Sequence, residues 1–414
     1  MINRVTGTQD FLDLSLYTYI ITIAQHHLQT YHYTGIQTPI LEPLELFVRS
    51  VGQHTDIVSK EMFLIDAHTT EERICLRPEI TASIVRAFIE NGIQITPWKV
   101  YTYGPVFRHE RPQKGRFRQF HQLSAEVIGA RSITEDVQFI VMFDRLFHEK
   151  YNLNNYALLI NFLGCATDRA TFKKELVAFL QKQTTLCANC IQRTNTNPLR
   201  VFDCKNPTCQ ELYRTAPVIT DFLCTPCQDE WAQLQQNLLL LSVSYVHSPT
   251  LMRGLDYYSK TVFEFTSQNL GAQNAFCGGG RYDTLVSALG GKEDQPSIGA
   301  AIGLERLVML LEPFASQLPL PQKPPLHCII PLSLAQHPLA LLLADEFHAK
   351  GLCTDILCEG SIKSMMRKAN KMGASFVLLL GQTEQENKTV TIKNMQTGTE
   401  ESVPQIEAIR YVSR

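Results

Sequence analysis

Residues 98–128 commit the chain to a hairpin with a strongly basic tip. Strand-like stretches at 98–103 and 119–128 flank the loop Arg108-His109-Glu110-Arg111-Pro112-Gln113-Lys114-Gly115-Arg116-Phe117-Arg118. Pro112 and Gly115 do not easily continue a ladder, so the chain turns between them. Further strand-like runs fall at 61–65, 261–265 and 300–303, with no regular alternation of strand and helix. That pattern predicts an α+β domain whose sheet is mainly antiparallel and flanked by helices. Four arginines and one lysine lie within residues 108–118. The planar arginine fork suits phosphate oxygens, and a hairpin tip holds several forks at fixed separations. Phe120, just beyond, offers a flat face for a base. Such an element can grip a nucleoside triphosphate and touch the end of a nucleic acid. Taken alone, the loop is also compatible with a solvated, charged hairpin.

At 414 residues the chain has room for two or three domains. Its apolar content of 44% is enough for real cores, and a net charge of −2 confines nucleic-acid contact to local patches. The opening Met-Ile-Asn-Arg lacks a charged-then-apolar signal pattern. No uninterrupted apolar run approaches the roughly 18 residues of a membrane span. Residues 238–241 read as a short helical turn. The 12 cysteines are too scattered for a secreted disulfide framework, so a reduced, cytoplasmic protein with no membrane partner is expected. Helices are predicted at 14–31 and 44–51, with a strand at 35–42 between them.

Five prolines in residues 312–325, without apolar periodicity, mark a semi-rigid linker. Past it the pattern becomes strand 326–331, helix 339–350, strand 353–357, helix 362–372 and strand 374–380. Strands alternating with helices predict a small α/β domain. In the helix at 362–372, Ile362, Met365, Met366, Ala369 and Met372 mark one face. Lys363, Arg367 and Lys371 stand at i, i+4 and i+8 on another, with no acid among them. A basic stripe of this kind is either a solvated face or a phosphate-contact surface.

Three stretches carry chemistry beyond the hairpin. Gly278-Gly279-Gly280-Arg281-Tyr282-Asp283 is not a P-loop, which needs G-x-x-x-x-G-K-[ST]. Its glycines mark a backbone passing close to a ligand or to another strand. Upstream, Leu251-Met252-Arg253-Gly254-Leu255-Asp256-Tyr257-Tyr258-Ser259-Lys260-Thr261-Val262-Phe263-Glu264 crowds an arginine, two tyrosines and an acid at a strand entrance. That suggests a polar pocket; a purely structural explanation would pair Arg253 with Asp256. Gly299-Ala300-Ala301-Ile302-Gly303-Leu304-Glu305-Arg306-Leu307 reads as a strand running into a helix that presents Arg306.

The order F-R-x-E-R-P-Q-x-G-R-x-R-Q-F at 107–120 resembles motif 2 of class II aminoacyl-tRNA synthetases, in the form carried by histidyl-tRNA synthetases. Residues 35–51 are similar to motif 1, a dimer-interface element. The stretches around Arg253 and Gly279 resemble the two histidine-specific signatures, and the Arg306 stretch resembles motif 3. Ser361-Ile362-Lys363-Ser364 and residues 373–381 fit the family's anticodon-binding domain, so the resemblance spans essentially the whole chain. It implies a catalytic domain at 1–164 plus 246–318, an insertion domain at 165–245, a linker at 319–325 and an anticodon-binding domain at 326–414. It also implies a homodimer acting on L-histidine, ATP with Mg²⁺, and histidine tRNA.

The implied residue roles follow the motifs. Arg108 and Arg253, the catalytic pair, contact the ATP α-phosphate and the substrate carboxylate. Arg306 holds the tail of a bent ATP. Arg116 or Arg118 assists at the β and γ phosphates, Glu110 sits near the adenine amine, and Phe120 lies under the ring. Glu79, Thr81 and Gln122 hold the ammonium group. Glu126 and Tyr258 read the imidazole, with Tyr257 and Tyr282 lining the pocket. Ile80, between Glu79 and Thr81, departs from the glycine or methionine more usual there. Gln113 and Lys114 reach the tRNA acceptor end, while Lys363, Arg367 and Lys371 face the anticodon arm.

The insertion holds Cys187-x-x-Cys190, Cys204-x₄-Cys209 and Cys224-x-x-Cys227. The two C-x-x-C pairs are thiolate hooks of the right size for a structural Zn²⁺ on Cys187, Cys190, Cys224 and Cys227. Free thiols or oxidised pairs are the alternatives. Two rival functions also remain: a synthetase-like regulator that binds histidine without charging tRNA, and a zinc-dependent nucleic-acid-binding module. Neither accounts for three arginine motifs together with a tyrosine-rich pocket.

Overall fold

A computed structural model describes residues 2–52, 55, 57–66, 73–253 and 257–413. It divides into two compact units, Met1–Leu320 and Pro321–Arg414.

The first unit is built on an eight-stranded sheet. Its strands are β1 (Thr34–Gly35), β5 (Trp98–Phe107), β6 (Gln119–Ile128), β7 (Ala157–Phe162), β8 (Val246–His247), β9 (Ser259–Thr266), β10 (Ala275–Arg281) and β11 (Ser297–Gly303). Strands β2 (Leu41–Pro43), β3 (Phe63–Ile65) and β4 (Ile74–Leu76) form a small separate sheet. The large sheet runs β1-β5-β6-β11-β10-β9-β7-β8, antiparallel throughout except for the parallel end pairs β1·β5 and β7·β8. Trp98 faces Ile128 and Phe107 faces Gln119, so loop 108–118 is the tip of one long hairpin.

Each face of the sheet buries its own core. On one side Phe139, Phe143 and Phe147 pack on Phe263, Phe265 and Phe276. The helix Ile133–Arg145 supplies this layer and begins in a capping box, with Ser132 accepting from Thr134 N–H (3.1 Å) and Glu135 from Ser132 N–H (2.9 Å). On the other side the helix Thr81–Glu90 sets Ile84, Val85 and Phe88 against Val100, Val106 and Ile128. The helix Ile133–Arg145 is tied to the sheet by a buried pair, Arg281 Nη2 to Asp136 Oδ1 at 2.6 Å, and Thr261 Oγ1 also donates to Asp136 at 2.6 Å. Arg281 of the glycine-rich stretch is therefore a structural anchor.

Several local expectations change. Residues 57–61 form a π-helical turn and only 63–65 pair as a strand. The expected strand at 35–42 is split between β1 and β2. Residues 238–241 close the 16-residue helix Thr225–Leu240 and do not form a short turn of their own. The proline-rich segment opens with a 3₁₀ turn, Glu312–Gln317, that belongs to the first unit.

The second unit carries β12 (Leu326–Pro331), β13 (Cys353–Ile356), β14 (Ala374–Leu380), β15 (Thr389–Asn394) and β16 (Glu400–Pro404), in the order β13-β12-β14-β15-β16. The first three are mutually parallel and the last two antiparallel. Its core gathers Ile329, Phe347, Leu378, Leu380, Val390 and Ile392. The helix Ile362–Lys371 buries Met365 and Ala369 and leaves Lys363, Arg367 and Lys371 exposed; Ile362 and Met372, expected on the apolar face, are 48% and 39% exposed. Among the described residues no helix is long and apolar enough to cross a membrane.

Candidate active site

The hairpin tip closes through Gln113 and Arg116, which exchange backbone hydrogen bonds at 3.1 and 2.9 Å, and Gly115 takes the left-handed conformation the turn requires (φ 72°). This turn borders a cavity of about 460 Å³ in the sheet face, where Arg108, Arg116, Arg253 and Arg306 converge with Phe120 and Gln122. Arg108 donates to the Pro78 carbonyl (2.9 Å) and sits 5.4 Å from the centre of the Phe120 ring. Arg306 donates to the carbonyls of Gly115 (2.9 Å) and Ala275 (2.6 Å). Burial, reinforced by the charges of Arg108 and Arg116, lowers the Arg306 pKa from its ordinary value. A cavity that gathers like charges so closely is complementary to a polyanion.

Acids moderate that charge: Glu110, Asp203, Glu264 and Glu305 share the cavity wall, and Glu61 stands beside Arg116. Burial would raise the Glu110 carboxyl, but its hydrogen bond from Arg116 and the Arg108 and Arg116 charges hold it below the ordinary range. Glu61, 3.6 Å from Arg116, is pushed up to about 7 by burial and the Glu110 charge. Glu110, expected at an adenine amine, thus meets Arg116. Arg118 is not on the cavity wall: it donates to the carbonyls of Glu110 and Thr6, both at 3.3 Å. Of the two arginines left open for the outer phosphates, Arg116 is the one that faces the cavity.

Arg253 pairs with Glu264; Asp256, the partner in the purely structural explanation, lies outside the described residues. Its guanidinium stands 5.7 Å from the Tyr258 ring centre. Gly278 on β10 leaves the guanidinium its place, since a Cβ there would fall 2.5 Å from Arg253 Nη1 and displace it. Beyond Arg253 lies a buried cluster of Glu79, Thr81, Glu126, Tyr257, Tyr258 and Tyr282. Glu79 caps the helix Thr81–Glu90, accepting from Thr81 N–H (2.7 Å) and Ala82 N–H (2.8 Å). Thr81 Oγ1 and Tyr282 OH donate to the two oxygens of Glu126 at 2.6 and 2.5 Å. Burial raises the Glu126 carboxyl to about 8, against the pull of those two hydroxyls. Only glycine leaves room for it in β11, since a Cβ at Gly299 would come within 1.4 Å of Glu126 Oε2.

None of these six residues lines the cavity; Gln122, Arg253 and Gly278 form the wall on that side. Two polar atoms of this wall are buried without a hydrogen-bond partner: Gln122 Oε1 and Arg253 Nε. Each such orphan costs on the order of 1–3 kcal/mol, which a bound ligand can return.

The model of the histidyl-tRNA synthetase family matches residues 18–307, and that of an anticodon-binding domain matches residues 327–414. The chain is 40% identical over 414 residues to a histidine–tRNA ligase of Thermodesulfovibrio yellowstonii, covering 99% of this chain and 97% of that one. This chain belongs to the histidyl-tRNA synthetase family. A histidine–tRNA ligase of Desulfatibacillum aliphaticivorans is 41% identical, covering 97% and 96% of the two chains. The apo crystal structure of S. aureus histidyl-tRNA synthetase superposes with a TM-score of 0.80 at 30% identity, over 100% of both chains.

Within this histidyl-tRNA synthetase chain, several cavity residues carried no expectation. Glu264 lies on β9 directly opposite Gly278, and its signal in the sequence is an acid between Phe263 and Phe265. Glu305 accepts from the backbone N–H of His121 (2.9 Å) and meets its ring Nδ1 (2.9 Å). Asp203 and Lys205 reach the cavity from the insertion. At the periphery, Gln113 and Lys114 are exposed at the hairpin tip. The expected zinc ligand set is corrected. Cys187 and Cys190 gather with Cys204 and Cys209, while Cys224 and Cys227 gather with Cys165 and Asp168. Helix Thr225–Leu240 begins at the second group, so the two C-x-x-C pairs serve different places.

Proposed function

We infer that this chain is a histidine–tRNA ligase that first makes histidyl-adenylate and then charges histidine tRNA. The observation that carries this reading is the pair of unpartnered polar atoms on Gln122 and Arg253, set between an arginine-lined cavity and a buried acid–tyrosine cluster. A histidine carboxylate beside Arg253 and Arg108 attacks the α-phosphorus of Mg²⁺-bound ATP. The new O–P bond forms as the bond to the bridging oxygen breaks, and pyrophosphate leaves with that electron pair. Positioning and charge neutralisation carry such a transfer. Arg306 and Arg116 take the β and γ phosphates, and Phe120 and Glu110 border the adenine. Glu79, Thr81 and Gln122 hold the ammonium group, while Glu126 and Tyr258 read the imidazole. The terminal ribose hydroxyl of tRNA, whose end Gln113 and Lys114 touch, then attacks the acyl carbon; the new ester bond forms as the bond to the phosphate oxygen breaks, AMP leaves with that electron pair, and the hydroxyl proton is released. A buried pair of polar readers rejects apolar amino acids by about 10⁴–10⁵, which makes a proofreading domain unnecessary. The active species is a cytoplasmic homodimer.

The deciding experiment is ATP–pyrophosphate exchange with each amino acid, followed by charging of total tRNA. Exchange and charging with histidine alone are expected. Histidine binding without exchange would replace this reading with that of a regulator.

The second unit contacts the anticodon arm through the exposed row Lys363, Arg367 and Lys371. Reversing Lys363 and Arg367 to glutamate should weaken tRNA binding and reduce the slope of log K against log salt by about 2. An unchanged slope would remove this face from the interface.

A further inference from the structure

Between Phe162 and Val246 the chain leaves the sheet and forms a helical insertion that sequesters its cysteines in two groups. In the first, the sulfurs of Cys187, Cys190, Cys204 and Cys209 all lie within 4.8 Å of one another. Cys187 Sγ and Cys204 Sγ are 3.8 Å apart. A tetrahedron with Zn–S bonds of about 2.3 Å has sulfur–sulfur edges of about 3.8 Å, whereas a disulfide needs about 2.05 Å. The spacing C-x₂-C-x₁₃-C-x₄-C supplies two hooks, each within the usual range for zinc.

Several local groups are placed to stabilise metal-bound thiolates, although burial alone raises the Cys190 and Cys204 thiols. Cys187 caps the helix Ala188–Thr196 and Cys190 lies in its first turn, where the helix dipole stabilises negative charge. Backbone N–H groups of Cys187 and Asn206 donate to Cys209 Sγ and Cys204 Sγ, both at 3.4 Å. The Tyr213 hydroxyl is buried beside the Cys190 sulfur, where a thiolate would accept its hydrogen bond. Cys190, Cys204 and Cys209 are buried, so a metal held by all four would have no open position.

The second group differs. The Asp168 carboxylate already accepts from the backbone N–H groups of Cys165 (3.1 Å) and Cys224 (3.0 Å), which accounts for it as a helix cap.

We propose that Cys187, Cys190, Cys204 and Cys209 bind one structural Zn²⁺ as a closed four-thiolate site, and that this knuckle holds residues 198–205 against the catalytic cavity. The four thiols release their protons to solvent on binding. Soft sulfur ligands in a closed tetrahedron select zinc over hard divalent ions. From Cys190 the chain runs through the 3₁₀ turn Pro198–Asp203 back to Cys204, whose neighbours Asp203 and Lys205 both line the cavity. The metal thus fixes the one segment that carries insertion side chains into that cavity among the described residues.

Metal analysis of protein purified without chelator should find about one zinc per chain, falling below about 0.1 in Cys190→Ser and Cys204→Ser and unchanged in the Cys224→Ser, Cys227→Ser double variant. Less than about 0.1 zinc in the intact chain would overturn the proposal, as would zinc that follows Cys224 and Cys227. Cobalt substitution of the intact chain avoids reliance on variants that fail to fold. A strong thiolate-to-cobalt charge-transfer band with tetrahedral visible bands is expected, and their absence overturns the site. The positioning role rests on the cavity being the adenylation site, whereas the metal content does not. Zinc-stripped protein with its helical circular dichroism intact should lose about tenfold or more in kcat/KM for exchange. Unchanged kinetics would overturn the positioning role alone.

Discussion

Arg253→Ala is expected to lower histidine-dependent ATP–pyrophosphate exchange by about 10²-fold or more, the scale of removing one preorganised donor from a transition state. Arg253 is the cation at the boundary between the cavity and the tyrosine cluster. One nitrogen is committed to Glu264 and Nε is unpartnered. It is therefore placed to neutralise charge that develops as the carboxylate meets the α-phosphate. Lysine is a point charge without the fork, so Arg253→Lys should recover less than about tenfold of the loss. The truncation also strands Glu264, whose side chain is only 22% exposed, and stability should fall by about 1–3 kcal/mol. Adding Glu264→Gln to Arg253→Ala should restore that stability without restoring exchange, which separates chemistry from folding. A loss of exchange below about fivefold would remove Arg253 from the mechanism.

Much of the architecture was legible because its signals are local. The 98–128 hairpin announces itself by a turn that proline and glycine cannot avoid, and its register follows. The strand 374–380 and the helix 44–51 have the bounds their apolar patterns imply. Strands β15 and β16 carry only a weak local signal: Thr389–Asn394 alternates polar and apolar over only six residues, and its turn at Gly398 lies beyond it.

The site divides in the same way. Arginines and glycines that meet across strands keep fixed spacing along the chain, so Arg108, Arg253, Arg306 and Gly278 could be singled out from order alone. Which cysteines meet depends on how helices fold back between them. The regular look of two C-x-x-C pairs outweighed the shorter separation of Cys190 from Cys204. Arg116 and Arg118 are two residues apart on an irregular tip, and only the approach of Gly7 decides between them: Arg118 Cγ stands 2.8 Å from where a Cβ at Gly7 would be. Glu305 was hidden for another reason. Its partner is largely a backbone N–H, which leaves no trace in residue type.

Glu126→Gln should separate the energetic cost of the binding site from its use. The folded carboxyl holds its proton up to about pH 8, against about 4.5 for the exposed group, because burial opposes its charge. Between those values the folded chain binds one proton more than the unfolded chain, so this residue makes stability fall as pH rises through the window. Below it the penalty vanishes. Glutamine has the same shape and no charge; its amide can donate to one of the hydroxyls of Thr81 and Tyr282 while its carbonyl accepts from the other. The variant should therefore be more stable than the parent by about 4 kcal/mol at pH 8 and nearly equal to it at pH 4. Paired urea titrations at the two pH values measure the difference. Equal stabilities at pH 8 would mean that Glu126 is not ionising in an apolar site. The same variant should lose about 10²-fold in kcat/KM for histidine, because a bound imidazole can draw this carboxyl into the charged acceptor form, which an amide cannot reach. Stability gained where activity is lost is the signature of a carboxylate kept for its ligand, and no role in packing alone would produce it.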